Sequence, residues 1–104
     1  MVWAQPDLPR PFRVTDVHIN VGPDLDIEAG LLYYKLDGKL HPSPLLGRDG
    51  RYFAIVQPLR PLKTVDLYFE LLTAGGETLR VPESGAYRMT VGRSGPRWVE
   101  EAFA

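Results

Sequence analysis

The chain has 104 residues, a formal net charge of −1, no cysteine and 44% hydrophobic residues, values typical of a single globular domain. Such a chain can bury one core without metal ions, and the lack of cysteine excludes disulfides, thiolate nucleophiles and thiolate metal sites. The near-neutral charge argues against binding driven by nucleic-acid phosphates, and no apolar run reaches the roughly 18 residues that a membrane span requires.

The chain begins with a proline-rich segment, residues 1–11. Pro6, Pro9 and Pro11 each fix φ and remove a backbone hydrogen-bond donor. We therefore expect an extended, polyproline-like arm that does not join a hydrogen-bonded sheet.

The same segment carries a weak indication of location. Val2 and Ala4 precede Gln5 in the small-x-small spacing that ends secretory signals, but the charged and apolar parts of a signal are not in this sequence. Two interpretations stay open: an ordinary tail, or the end of a signal whose upstream part has been lost. The second favours a periplasmic or extracellular location.

Five runs of alternating apolar and polar residues follow the arm. This period of two buries one face of a strand and exposes the other, and several such runs favour an all-β sandwich or barrel. In the first run the phase slips by one between Val14 and Val17, which predicts a bulge near Thr15 and Asp16. The runs are residues 12–21, 31–36, 52–56, 65–71 and 87–91.

Turn signals separate these runs. The dipeptides 37–38 and 49–50 are both Asp-Gly, the pair typical of tight hairpins. Residues 41–44 contain two prolines and are expected in a loop or an edge strand. The two glycines at 75–76 predict a tight turn, after which residues 78–81 form a short return strand.

The C-terminal segment, residues 93–104, changes period. Trp98, Val99, Ala102 and Phe103 recur at helical spacing. The spacing predicts a short helix, and so short a helix is marginal alone in water. We therefore expect Trp98 and Phe103 to dock on another surface.

Four segments together resemble the bacterial immunoglobulin-like or fibronectin-type-III-like modules. They read G-L-L-Y-Y-K at 30–35, G-R-Y-F-A-I-V at 50–56, V-D-L-Y-F-E-L at 65–71 and G-A-Y-R-M-T-V at 85–91. The resemblance implies an immunoglobulin-like β-sandwich over residues 12–92, of a kind often attached to secreted enzymes and surface proteins. It implies a fold more than a function, because this architecture hosts many unrelated roles.

One acidic string has the spacing of a cation site. Asp24, Asp26 and Glu28 offer oxygen ligands at alternate positions, which suits calcium. An EF-hand loop needs Gly at its sixth position and Glu at its twelfth, and this chain has Ala29 and Lys35 there. The alternative is the solvated face of a strand, and we expect no metal ion.

Catalytic constellations are missing from the sequence. The two histidines, His18 and His41, are far apart, and no nucleophile-elbow motif surrounds Ser43, Ser84 or Ser94. We therefore expect solvated or hydrogen-bonded histidines, and a protein that is not an enzyme and uses no cofactor.

Tyrosines are frequent in so small a chain, and neighbouring aromatics in a strand must face opposite ways. Outward rings of one sheet offer a platform for sugar rings or for a protein partner. The alternative is cross-strand packing among the rings themselves. The residues are Tyr33, Tyr34, Tyr52, Tyr68 and Tyr87.

These observations favour a non-catalytic module that binds other proteins, as a small accessory subunit of a larger, extracytoplasmic bacterial assembly. An extended arm loses little conformational freedom on binding, and an aromatic helix can anchor in a groove. The alternative is a carbohydrate-binding module that uses outward tyrosines or Trp98. The expected contact residues for a protein partner are Trp3, Pro6, Pro9, Pro11, Trp98 and Phe103.

Overall fold

The computed structural model describes residues 3–6, 12–91 and 97–101, and the side chains of 12–91. This part of the chain is all-β, with ten strands and no helix. The strands are β1 (Trp3–Pro6), β2 (Thr15–Asn20), β3 (Ile27–Leu36), β4 (Lys39–Pro44), β5 (Leu46–Arg48), β6 (Arg51–Val56), β7 (Thr64–Thr73), β8 (Thr78–Val81), β9 (Ala86–Thr90) and β10 (Arg97–Glu101).

The strands form two antiparallel sheets. The four-stranded sheet has the order β1-β2-β6-β5, and the six-stranded sheet has the order β10-β9-β7-β3-β4. The sixth strand, β8, pairs with residues 69–72 of β7, and β9 pairs with residues 64–67 of the same strand. Because β3 occupies the other side of β7, β8 and β9 lie one after the other along a single side of it.

Both sheets contribute to a single hydrophobic core. Alternate residues of each strand are buried, as the period of two predicts. Phe69 is the largest of the fully buried side chains, and its burial contributes about 1.5–3 kcal/mol to stability. Other fully buried members are Val17, Ile19, Ala54 and Val56 from the four-stranded sheet, and Leu32, Val65, Leu67, Leu71 and Met89 from the six-stranded sheet.

Most of the predicted strands and turns are confirmed. The runs at 31–36, 52–56 and 65–71 lie within β3, β6 and β7. Both Asp-Gly pairs form hairpin turns with positive φ at each residue, as a type I′ turn requires. Residues 41–44 lie in β4, an edge strand in which the two prolines do not remove a donor from a central ladder.

The predicted bulge in the first run is wrong. β2 begins at Thr15 and pairs with β6 without a register shift. Phe12 and Val14 lie before the strand and are exposed, so the change of phase marks the start of the strand. A register shift lies instead in β3, between Ile27 and Ala29.

Both terminal segments depart from expectation. Residues 3–6 pair with β2 as an edge strand, where the proline at the end of β1 is tolerated. Residues 97–101 pair with β9 as β10, so the predicted C-terminal helix is not confirmed. The edge of β9 offers a ladder of backbone hydrogen bonds to a segment whose isolated helix would be marginal. Pro9, Pro11, Ala102 and Phe103 lie outside the described residues.

Candidate functional site

The outer face of the six-stranded sheet carries a contiguous group of aromatic and charged side chains. Leu32 and Tyr34 of β3 point into the core, as do Leu67 and Phe69 of β7. Their neighbours therefore point outward. We call this outer surface the tyrosine face, and it comprises Leu31, Tyr33, Lys35, Asp66, Tyr68, Glu70, Arg80 and Arg88.

Strand register brings the two central tyrosines together. Tyr33 lies directly opposite Tyr68 on the neighbouring strand, and the two rings stack with centroids 5.2 Å apart and planes 27° apart. On β8, the guanidinium carbon of Arg80 lies 4.2 Å from the centroid of the Tyr68 ring. Since β3 and β8 flank β7 on opposite sides, the Tyr33 and Arg80 contacts cover opposite faces of Tyr68.

The guanidinium of Arg80 is fixed in this stack by the β8–β9 loop. One terminal nitrogen donates to the carbonyl of Pro82 at 2.8 Å, and the other donates to the carbonyl of Gly85 at 2.6 Å. A side chain fixed by three separate contacts has little rotamer freedom left to lose when a partner binds. Arginine held over an aromatic ring is also a group that protein interfaces favour.

Charged residues of both signs surround the stack. Arg88 donates from Nε to Asp66 at 3.0 Å, and the exposed Lys35 lies opposite Asp66 on β3. A half-exposed ion pair of this kind contributes about 0–1 kcal/mol to stability. A shallow depression of about 240 Å³ opens between Lys35, Tyr68 and Arg80. Its mixture of charge and aromatic surface suits recognition of a polar partner surface.

The phenol of Tyr33 titrates abnormally. Partial burial raises its pKa above the ordinary value, and the negative charge of the nearby Glu70 raises it further. An ordinary phenol is already protonated at physiological pH, so the shift extends the protonated, hydrogen-bond-donating form of Tyr33 to more alkaline pH.

The expected division of neighbouring aromatics is confirmed in two strands. Tyr34 and Phe69 are buried, whereas Tyr33 and Tyr68 lie on the outer face. In β6, Tyr52 packs against the core and Phe53 contacts the ring of His18 on the four-stranded sheet, with centroids 6.1 Å apart. The tyrosines therefore form no single continuous platform.

The histidines and the acidic string do not join this site. His18 lies on the four-stranded sheet, and His41 stacks on Tyr34 with ring centroids 5.2 Å apart. Asp24 and Asp26 precede β3 and are exposed, and Glu28 is exposed within it. Within the described part of the chain, no group of three or more His, Asp or Glu residues is placed to hold a metal ion.

The predicted contact residues that the structure describes lie in the edge strands of the two sheets. Trp3 is opposite Asn20 and Pro6 is opposite Val17 in the β1–β2 pair, and Trp98 is opposite Met89 in the β9–β10 pair. β1 and β10 each end their sheet on the side away from the β4–β5 connection. Pro9, Pro11 and Phe103 lie outside the described residues.

Of the three residues in the central stack, Arg80 is the one that sequence reasoning did not single out. Its spacing along the chain carries no motif, and its importance comes from register, which places it beside Tyr68 across the β7–β8 pair.

Among the described residues, no helix is long and apolar enough to cross a membrane.

No protein-family model matches this sequence, and no curated protein is similar enough to count as a relative.

Proposed function

We propose that this chain is an immunoglobulin-like β-sandwich that acts as a non-catalytic module for binding another protein, an accessory subunit of a larger extracytoplasmic bacterial assembly. Strand order supports the immunoglobulin-like assignment. If β1, β2, β6 and β5 are named A, B, E and D, then β3, β7 and β9 take the places of C, F and G. An immunoglobulin constant-type domain has its strands in this order, and in the proposed assignment β4, β8 and β10 are additions to it.

The fixed stack of Tyr33, Tyr68 and Arg80 is the observation that carries the binding proposal. Tyrosine and arginine are the residues in which interface binding energy concentrates, particularly where they are held rigidly. The tyrosine face presents both types in contact, with Tyr33 opposite Tyr68 and Arg80 over the Tyr68 ring from the next position along the strands. A partner that approaches this face would meet ring edges, hydroxyl groups and paired charges without having to order them.

The same stack makes carbohydrate binding the weaker alternative. A sugar ring stacks on an open aromatic face, and the two faces of Tyr68 are covered by Tyr33 and Arg80. The remaining ring face of the pair is the side of Tyr33 toward β4, where Pro42 lies opposite Tyr33 in the β3–β4 pair.

The two edge strands extend the proposed contact. Trp3 and Pro6 in β1 and Trp98 in β10 lie on sheet edges, which a partner can approach from the side. We keep these residues, together with Pro9, Pro11 and Phe103, as a second contact region of the accessory subunit.

Comparison of purified variants as immobilised baits tests the proposal. Extract of the source cells is passed over wild-type protein, Tyr68→Ser and Arg80→Gln, with Arg48→Gln as the control because Arg48 is exposed on the other sheet. We expect a partner that wild type and Arg48→Gln retain and that both tyrosine-face variants lose. Circular dichroism establishes that all four baits are folded.

Two results would contradict the proposal. One is a set of retained proteins that is the same for all four baits. The other is retention of the wild-type chain on an insoluble polysaccharide that Tyr33→Ser abolishes, which would establish the carbohydrate alternative.

A further inference from the structure

One end of the sandwich differs in chemistry from the tyrosine face. The segment before β2, the β3–β4 turn and the β6–β7 connection meet there. The backbone N–H of Phe12 donates to the carbonyl of Leu59 at 2.7 Å, and Lys63 pairs with Asp37. We call this the basic end, and it comprises Phe12, Arg13, Val14, Asp37, Lys39, Arg60, Leu62 and Lys63.

The basic end holds the most exposed large apolar side chains of residues 12–91. Phe12 is 68% exposed, Leu62 is 59% exposed and Val14 is 58% exposed. Isolated exposed apolar residues are ordinary on a protein surface. Three of them on two neighbouring loops at one end form a group, and a group of this kind marks an interaction surface.

The backbone holds two of these side chains at a conformational cost. Phe12 has φ of 60° and Leu62 has φ of 62°, values that bulky side chains rarely adopt. Leu62 occupies the third position of a turn in which the N–H of Lys63 donates to the carbonyl of Arg60 at 3.2 Å. With Pro61 before it, this position of a turn usually carries glycine. Leucine there is unfavourable for folding alone, and such strain concentrates at functional sites.

Charge is distributed unequally between the two ends of the sandwich. Among the residues that the structure describes, the basic end has four basic residues and one acidic residue, Asp37, which is paired with Lys63. The opposite end, formed by the β2–β3, β5–β6 and β7–β8 connections, has mostly acidic residues. Those residues are Asp24, Asp26, Glu28, Asp49 and Glu77, with Arg48 and Arg51 as the basic ones.

We propose that the basic end docks on an anionic lipid surface. Phe12, Val14 and Leu62 would enter the boundary between headgroups and acyl chains, and the basic side chains would bind lipid phosphates. Exposed apolar residues flanked by basic ones are the combination that interfacial membrane binding uses. A bilayer needs no complementary pocket, which suits an apolar group presented by two exposed loops. This inference is independent of the tyrosine face, whose residues it does not use.

Sedimentation of the full chain with vesicles tests the inference. The vesicles consist of phosphatidylcholine alone or of phosphatidylcholine with phosphatidylglycerol. We expect wild-type protein to bind only the anionic vesicles, and to bind them less as salt screens the basic side chains. Replacing both Phe12 and Leu62 with serine should weaken binding by at least about tenfold, because two large apolar groups are lost.

Matched variants separate the lipid contact from general effects. Leu72→Ser removes an exposed apolar residue from the six-stranded sheet, and Arg48→Gln removes one positive charge from the opposite end. Both should bind as wild type does, whereas Arg13→Gln with Arg60→Gln should bind more weakly. Leu62→Gly keeps the turn and removes the side chain, so it should fold well and still bind poorly.

Three outcomes would overturn the inference. The first is that wild-type protein does not bind anionic vesicles, and the second is that it binds uncharged vesicles equally well. The third is that Leu72→Ser weakens binding as much as the double replacement of Phe12 and Leu62. Because the baits for the tyrosine face keep the basic end unchanged, failure here would leave the proposed protein contact standing.

Discussion

The hydroxyl of Ser43 joins the two sheets by forming two hydrogen bonds with Ile55. It donates to the carbonyl of Ile55 at 2.8 Å and accepts from the N–H of the same residue at 3.2 Å. Ser43 belongs to β4 of the six-stranded sheet and Ile55 to β6 of the four-stranded sheet. β5 pairs with β6 only as far as Phe53, so Ser43 supplies the partner that Ile55 would otherwise lack on that side.

Replacing Ser43 with alanine should destabilise the fold more than an ordinary surface change. Ser43 is 8% exposed, and its loss would leave a partly buried N–H and carbonyl without this partner. We expect the free energy of unfolding to fall by about 1–3 kcal/mol. Urea denaturation measures the change, with the exposed Ser84→Ala as the control. Equal stability of the two variants would contradict the closing role of Ser43.

Replacing Gly47 with alanine should displace β5. Gly47 has φ of 121°, and a Cβ atom there would overlap the carbonyl oxygen of Arg51 on the neighbouring strand. Gly38 is the control, since it also has positive φ but a Cβ atom added there would meet nothing within 4 Å. Gly38→Ala should cost about 1–2 kcal/mol, the cost of a left-handed alanine.

Gly47→Ala should cost clearly more, because the steric overlap adds to the backbone strain. Thermal unfolding of the two variants side by side measures the difference. If both lose the same stability, the close approach of Gly47 to β6 has no energetic weight.

Much of the fold could be predicted because its signals are local. The buried faces of β3, β6 and β7 follow from alternation alone, and the Asp-Gly pairs at 37–38 and 49–50 identify two hairpins. The terminal segments could not be predicted in this way. Whether residues 3–6 and 97–101 pair depends on the free edges of β2 and β9, and single-segment propensity contains no information about an edge elsewhere in the fold.

The candidate site could not be predicted from the sequence, because it depends on the register between strands that are far apart in the chain. The alternation of apolar and polar residues identified Tyr68 as outward, and it required that either Tyr33 or Tyr34 face outward without deciding which. It could not place Tyr33 opposite Tyr68. Arg80 carries no local signal, and its role arises because β8 runs beside the second half of β7. The exposure of Phe12 was equally hidden, since Phe12 belongs to the alternating run at 12–21, and no sequence pattern singled out Leu62.

The phenol of Tyr33 should ionise at a higher pH than an unperturbed tyrosine. Partial burial and the negative charge of Glu70 both disfavour the phenolate. Alkaline titration of phenolate absorbance, taken as the difference between wild type and Tyr33→Phe, measures this ionisation. Glu70→Gln should lower the pKa of Tyr33, whereas Glu77→Gln, in the distant β7–β8 turn, should leave it unchanged.

The same shift gives a direction for alkaline stability. Below a pH of about 10 the phenol is neutral in the folded and unfolded states, so it contributes no pH dependence. Above that pH the unfolded chain loses the proton first, and the free energy of unfolding falls as the pH rises toward the folded-state pKa. Tyr33→Phe should therefore lose less stability than wild type on going to alkaline pH. A larger loss in Tyr33→Phe would contradict the raised pKa.

Replacing Tyr68 and Arg80, singly and together, should show whether the two side chains stabilise each other or only lie side by side. Arg80→Gln loses the contact with the ring and the donors to Pro82 and Gly85, so it should destabilise the fold by about 1–3 kcal/mol. Tyr68→Leu keeps apolar volume and loses the ring face. A double-mutant cycle on the free energy of unfolding isolates the coupling between them, for which we expect about 0.5–1 kcal/mol.

The matched cycle uses Asp66 and Arg88, which form a half-exposed ion pair on the same face. Salt should reduce the coupling of that pair, because screening weakens exposed charges. It should affect the Tyr68–Arg80 coupling less, since part of that contact is packing of the guanidinium against the ring. Coupling near zero for Tyr68 and Arg80 would mean that the loop carbonyls alone hold the guanidinium. The ring and the guanidinium would then be held independently, and the face would lack the coupled stack on which the proposed protein contact depends.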